Sequence, residues 1–223
     1  MQTETQSSFA GTVCVCALLA GGLAYIAFRD TGGLRHWTFE EQRRQSVSSA
    51  KMWAPRITLR DQNSAPWQPW PRAELGTIYV VDFIYTRCSS FCQGLGAQFR
   101  LMQRELMRQP SSVQLLSISF DPQHDTPGRI TAYAHQYSAN AAWWRVAAPT
   151  DESALKGLLR QIGVVAIDDG IGGYLHNSAL HLIDQEGRGG GIYDYGDWKS
   201  ALADARQLAD GSRRRSAAAS AAR

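Results

Sequence analysis

The chain lacks a broad basic surface. Its net charge is only +3, and part of that sits in the terminal "SRRRSAAASAAR". Nucleic acid is therefore not an implied partner, and an end rich in Arg, Ser and Ala reads as solvated tail, since it has nothing to bury. Cysteine is sparse as well, with four in 223 residues. Cys14 and Cys16 fall inside an uncharged run, where a thiol behaves as a small apolar side chain. Cys88 and Cys92 are then the only thiols outside that run. Two thiolates are too few for a structural zinc site, and no second pair exists to complete one. No internal repeat is apparent, and 223 residues with 44% hydrophobic content can bury one full-sized core but hardly two.

Charge is missing altogether from residues 9–28, "FAGTVCVCALLAGGLAYIAF", a run closed by Arg29 and Asp30. A helix rising about 1.5 Å per residue would carry these positions across a hydrocarbon core of roughly 30 Å. A cleaved signal peptide fits less well, because no Lys or Arg precedes the run and the apolar stretch exceeds the usual signal core. A lipid-attachment cysteine also lacks its context, since Gly11, Thr12 and Val13 before Cys14 make no convincing lipoprotein signal. The reading is an uncleaved single-span anchor over 9–28 behind a short tail at 1–8. Positive-inside counting is nearly silent on its orientation, because residues 1–8 contain Glu4 and no basic side chain.

Residues 29–53 are polar, centred on "EEQRRQSVSS", and read as a linker. "APWQPWP" at 65–71 holds three prolines and reads as a rigid extended connection rather than an element. "TIYVVDFIYT" at 77–86 is almost continuously apolar and rich in β-branched and aromatic residues, the mark of a strand buried on both faces. Leu95, Phe99, Met102 and Leu106 then recur at helical spacing. "VQLLSISF" (113–120) is a second buried strand. Thr126 as N-cap with Pro127 at the first helical position opens another helix. Thr150 is expected to cap a further one, with Leu155, Leu158, Leu159 and Ile162 on one face and Gly163 as its stop. "SALHLID" and "GIYDYGD" bracket the turn "QEGRGGG" as a hairpin, and "DWKSALADARQLAD" closes the domain as a helix. This order describes a central sheet flanked by helices.

The stretch "RCSSFCQG" (87–94) places Cys88 at the carboxyl end of the central strand and Cys92 near the first turn of the next helix. Ligands collect at the carboxyl ends of strands in open α/β sheets. A helix N-terminus also stabilises a thiolate, which makes it a stronger nucleophile and a better metal ligand. The spacing is one residue longer than the common C-x-x-C dithiol. A three-residue loop allows the two thiolates either to share one metal ion or to close to a disulfide. A third ligand is sought among five histidines. His36 lies in the linker, while His124 in "DPQHDTP" and His135 on a helix read as exposed polar residues. His176, just before a strand and after a flexible loop, is favoured over His181 within that strand.

"VVDFIYTRCSSFC", "LLSISFDPQHDTP" and "YLHNSALHLIDQEG", in this order, resemble the Sco/SenC family of membrane-anchored copper proteins that assist cytochrome c oxidase assembly. The resemblance covers roughly residues 54–209 and implies a thioredoxin-like α/β domain there, with 210–223 left as a disordered basic tail. Its C-x-x-x-C matches Cys88 and Cys92, and the six-residue step to Leu182 selects His176 as the metal-binding histidine. Asp121, Pro122, Asp125, Thr126 and Pro127 match the family's "DP" and "DTP". The resemblance implies Cu(I) or Cu(II) held by Cys88, Cys92 and His176, a soft set suited to copper. It implies a single-pass membrane protein with its domain in the periplasm or the mitochondrial intermembrane space. The implied partners are the copper-site subunit of the oxidase and an upstream copper donor or thiol reductase. This chain departs from the family where Ser89 and Gln93 replace prolines after each cysteine, and where Leu175 replaces an aspartate before the histidine. A metallochaperone is the leading reading. A thiol-disulfide oxidoreductase acting through the redox-active Cys88–Cys92 pair is the alternative. A peroxidase ranks third, because the Arg and Thr expected around one peroxidatic cysteine are not evident.

Overall fold

The computed structural model describes residues 3–30, 52–71, 76–88, 91–177 and 179–221. It divides into two units, 1–45 and 46–223. The first contains one helix, α1 (Thr3–Asp30), whose Leu18, Leu19, Leu23, Tyr25 and Ile26 are all exposed. The run expected to be an anchor is thus helical, yet among the described residues no helix is long and apolar enough to cross a membrane. Most of the expected linker, including His36, lies outside the described residues.

The second unit is built on a seven-stranded sheet. Its strands are β1 (Leu59–Asp61), β2 (Pro66–Trp67), β3 (Ile78–Ile84), β4 (Val113–Ser119), β5 (Trp144–Pro149), β8 (Leu180–Asp184) and β9 (Gly189–Tyr193), in the order β2-β1-β5-β4-β3-β8-β9. β3, β4 and β5 run parallel, with Ile78 opposite Val113 and Leu115 opposite Trp144. β8 runs antiparallel to β3, pairing His181 with Val81. A separate two-stranded sheet joins β6 (Ala166–Asp168) to β7 (Tyr174–His176).

Every residue of β3 is buried, as its apolar run requires of a central strand. Alternation divides its side chains between two cores. Tyr79, Val81 and Phe83 pack with Leu116 and Ile118 beneath Leu155, Leu158 and Ile162 of α4 (Glu152–Ile162). Val80 and Ile84 pack on the other face beneath Phe99, Met102 and Leu106 of α2 (Phe91–Arg108). Ile130 and Tyr133 of α3 (Pro127–Tyr137) and Ala201 and Ala205 of α5 (Trp198–Ala221) complete that layer. Phe99 and Trp144 meet with ring centroids 5.4 Å apart, and each such buried side chain contributes about 1.5–3 kcal/mol by leaving water. Gly96 lets α2 descend onto the Tyr137 ring, because a Cβ there would come within 2.5 Å of that ring.

Several boundaries differ from expectation. α4 is capped by Asp151, whose carboxylate accepts from the Ser153 N–H, rather than by Thr150; a carboxylate is the stronger acceptor toward the positive end of the helix. Thr126 does precede α3 with Pro127 in the first turn, but its hydroxyl makes no capping bond. Pro66 and Trp67 form a short edge strand inside the proline-rich connection, on the sheet edge where proline is tolerated. The glycines at 189–191 belong to β9 rather than to the turn. A Cβ on Gly190 would lie 2.8 Å from Leu208 Cδ1, so a larger residue there would displace that side chain of α5. The basic tail expected to be disordered continues α5 as far as Ala221, with Arg213 paired to Asp210.

Candidate metal centre

β3 ends at Ile84, and a turn in which the Cys88 N–H donates to the Tyr85 carbonyl (3.3 Å) brings the chain to its thiol. Cys88 is half-buried and packs against the core on the Tyr85 side of the sheet. Three residues later α2 begins, with Cys92 in its first turn by backbone position. The Cys92 side chain lies outside the described residues. The loop was expected to hold the pair at a strand end and a helix start, and the backbone has that layout.

His176, expected just before a strand, ends the short strand β7 that precedes β8. Its ring rests on Phe120 (centroids 5.1 Å) and Tyr85 (6.0 Å), both at the carboxyl ends of the parallel strands. Tyr174, two residues earlier on the same face, packs on the same two rings at 5.2 Å each. Burial holds the His176 imidazole below its ordinary pKa and so favours the neutral, ligating form. His181 is fully buried inside the sheet, edge-on to Phe83 at 5.7 Å. Cys88 and His176 therefore share the end of the sheet and His181 does not. Among the described residues no group of three His, Cys, Asp or Glu side chains forms a metal cluster. Cys14 and Cys16 are exposed on α1.

One arrangement escaped the sequence reading. Arg87 Nη2 donates to Asp121 Oδ2 at 2.8 Å and lies 3.1 Å from His124 Nδ1, which in turn is 2.9 Å from Asp121 Oδ1. Burial pushes the Asp121 carboxyl up, but the hydrogen bonds from His124 and Arg87 outweigh it and hold the group below its usual value. Asp125 is fixed beside it, accepting from the Thr86 N–H at 3.1 Å, the Thr86 hydroxyl at 2.5 Å and the Ser119 hydroxyl at 2.6 Å. The "DP" and "DTP" spelling marked this loop, but Arg87 sits 34 residues away in sequence, and nothing local announces that pairing.

On the α2 face of β3, between Val80 and Ile84, Asp82 is 1% exposed and stands opposite Ser117 of β4. Neither carboxyl oxygen makes a hydrogen bond of ordinary geometry among the described residues. The Ser117 hydroxyl, which accepts from Trp144 Nε1 at 2.9 Å, offsets burial only in part, and the Asp82 pKa is pushed up to about 7.

The sequence profile of the SCO1/SenC family matches residues 58–209. A SCO1 protein homolog from Bacillus subtilis is 24% identical over 115 residues, covering 51% of this chain and 60% of that protein, less than two thirds of its length. Among solved structures, a SCO1/SenC family lipoprotein from Bacillus anthracis is similar at 20% identity with a TM-score of 0.62, covering 71% of this chain and 95% of the other. BsSco, a member of the Sco family of cytochrome c oxidase assembly proteins known for a disulfide switch, is similar at 18% identity with a TM-score of 0.61, covering 71% and 94%. Copper-bound ScoI of Bradyrhizobium japonicum is similar at 19% identity with a TM-score of 0.54, covering 73% and 98%. At these identities the structural likeness is one of fold, a thioredoxin-like α/β sheet flanked by helices. With the profile spanning well over half of its residues, the chain belongs to the SCO1/SenC family.

Proposed function

We propose that this protein is a membrane-anchored copper metallochaperone that binds one copper through Cys88, Cys92 and His176 and passes it to the copper-site subunit of cytochrome c oxidase. The observation that carries the reading is the position of His176, laid on Phe120 and Tyr85 at the strand end from which Cys88 emerges. Two thiolates and a neutral imidazole suit copper, and the mixed set tolerates both of its valences. Copper is cargo here, so the site must release it by ligand exchange. Ser89, between the cysteines, and Gln93, after the second, stand where prolines would fix φ. In this reading α1 tethers the domain to the outer side of a bacterial inner membrane or its mitochondrial counterpart, and an upstream donor or thiol reductase loads the site.

The test is the thiolate-to-copper charge-transfer absorption of the reduced protein with Cu(II). His176→Ala is expected to abolish or strongly shift that band, while Cu(I) binding falls only in part and Cys88–Cys92 disulfide formation stays near wild type. An unchanged band in His176→Ala, with both cysteines still required in cells, replaces the chaperone by the thiol-disulfide reductase.

A further inference from the structure

The Arg87–Asp121–His124 group stands beside the proposed centre and has no part in holding it. In this arrangement Nδ1 of His124 faces a carboxylate oxygen at 2.9 Å and a guanidinium nitrogen at 3.1 Å. An N–H on Nδ1 makes a charge-assisted hydrogen bond to the carboxylate at the shorter distance, whereas a lone pair there would accept from the guanidinium. The tautomer with its proton on Nδ1 leaves the Nε2 lone pair open. Nε2 has no hydrogen-bond partner among the described residues, and the side chain is 49% exposed. A carboxylate behind an imidazole fixes the orientation of the ring, the usual support of a histidine that meets a metal.

The support is rigid. Asp121 is 3% exposed, with its second oxygen held by Arg87. The Asp121 carbonyl accepts from the His124 N–H at 3.1 Å and the Asp125 N–H at 2.8 Å, so the loop closes on itself. Local charge also favours a cation, because Asp121, Asp125 and the exposed Asp169 surround the single positive charge of Arg87. The location follows from the chain: Arg87 immediately precedes Cys88, and Asp121 immediately follows Phe120, on which His176 rests.

We propose that His124 is an accessory copper ligand, the imidazole that copper meets on its way into and out of the Cys88–Cys92–His176 set. The proposal rests on the copper reading given above. On entry, a bond forms between Nε2 and the ion as a bond from the donor breaks. The Cys88 thiol then loses its proton to water and its sulfur bonds the ion as the Nε2 bond breaks. The copper keeps its valence throughout, and no electron moves. A purely structural His124 would serve only as a hydrogen-bond donor to Asp121, a task that asparagine can share.

The experiment mixes reduced full-length protein rapidly with aqueous Cu(II) and follows the growth of the charge-transfer band. His124→Ala and His124→Asn should both slow uptake about tenfold, while the final band and the stoichiometry match wild type, which also certifies the fold. His135→Ala, an exposed helical histidine, should leave the rate unchanged. Wild-type uptake in His124→Ala, or recovery of the rate in His124→Asn, overturns the proposal. Failure of the underlying copper reading looks different, because the wild-type protein would then develop no band at all.

Discussion

Asp82→Asn tests the energetics of the core between the sheet and α2. In the unfolded chain the Asp82 carboxyl titrates near its ordinary value of 3.8, whereas in the fold it holds its proton to about 7. Between those values the folded state binds the extra proton, so stability falls as pH rises through the window. The penalty is absent below about pH 4 and complete above about pH 7, where it reaches on the order of 4 kcal/mol. Between pH 5 and pH 8 the accumulated difference is about 2–3 kcal/mol. Asparagine keeps the shape and cannot ionise, so this slope should vanish from the variant while the contributions of all other groups are retained. Urea melts of both proteins at pH 5, 6, 7 and 8 would measure it by linear extrapolation. The wild type should lose about 2–3 kcal/mol relative to the variant across that range. Whichever protein is more stable at pH 5, the gap must move in favour of Asp82→Asn as pH rises. Parallel pH profiles would refute the argument and mean that Asp82 is solvated or paired in solution.

Cys88→Ser or Cys92→Ser should each abolish both copper binding and intramolecular disulfide formation, whereas the double change of Cys14 and Cys16 to serine should spare both. Copper titration with thiol counting checks this, and equal loss in the double variant would contradict it. If α1 is an anchor, full-length protein should remain with membranes after alkaline carbonate washing, and removal of residues 1–30 should release it. Recovery of the intact chain in the wash would dismiss the anchor.

How much of the protein was legible depends on where its information is stored. β3 declared itself because a strand buried on both faces must be apolar at every position, and "IYVVDFI" nearly is; its single carboxyl is also its most perturbed group. α2 and α4 were readable because each buries one stripe, Leu95, Phe99, Met102 and Leu106 in the first and Leu155, Leu158 and Ile162 in the second. The β6–β7 hairpin was not. Its strands are three residues long, and exposed Ile167, Ile171 and Leu175 break any alternation between an apolar inner and a polar outer face. The β8–β9 hairpin was readable, but the start of β9 was not, because Gly189 and Gly190 spell a turn locally and stand in the strand. At the site, motif spacing picked out Cys88, Cys92 and His176. The Arg87–Asp121–His124 pairing is tertiary and left no local trace, so His124 read as an ordinary surface residue.

The isolation of β6–β7 from the seven-stranded sheet gives the two kinds of proposed ligand different mechanical standing. Cys88 follows a strand bonded on both sides, in a turn held by its N–H to the Tyr85 carbonyl. His176 rides on a small flap. Its base is tied where Asn177 bonds Val165 at 2.7 and 3.2 Å and Gly163 at 3.0 Å, while its inner face leans on the sheet through four ring contacts. Lifting the flap breaks no backbone hydrogen bond of the main sheet, but it forfeits the bond from the Tyr174 N–H to the Tyr85 hydroxyl at 3.4 Å and four ring contacts worth about 0.5–1.5 kcal/mol each. The rings alone, at about 2–6 kcal/mol, correspond to an open fraction between a few per cent and a few parts in a hundred thousand. In the proposed site the imidazole would thus be the door. A cargo ion would lose its third ligand many times before its first, and a receiving protein would need only to wait for the opening.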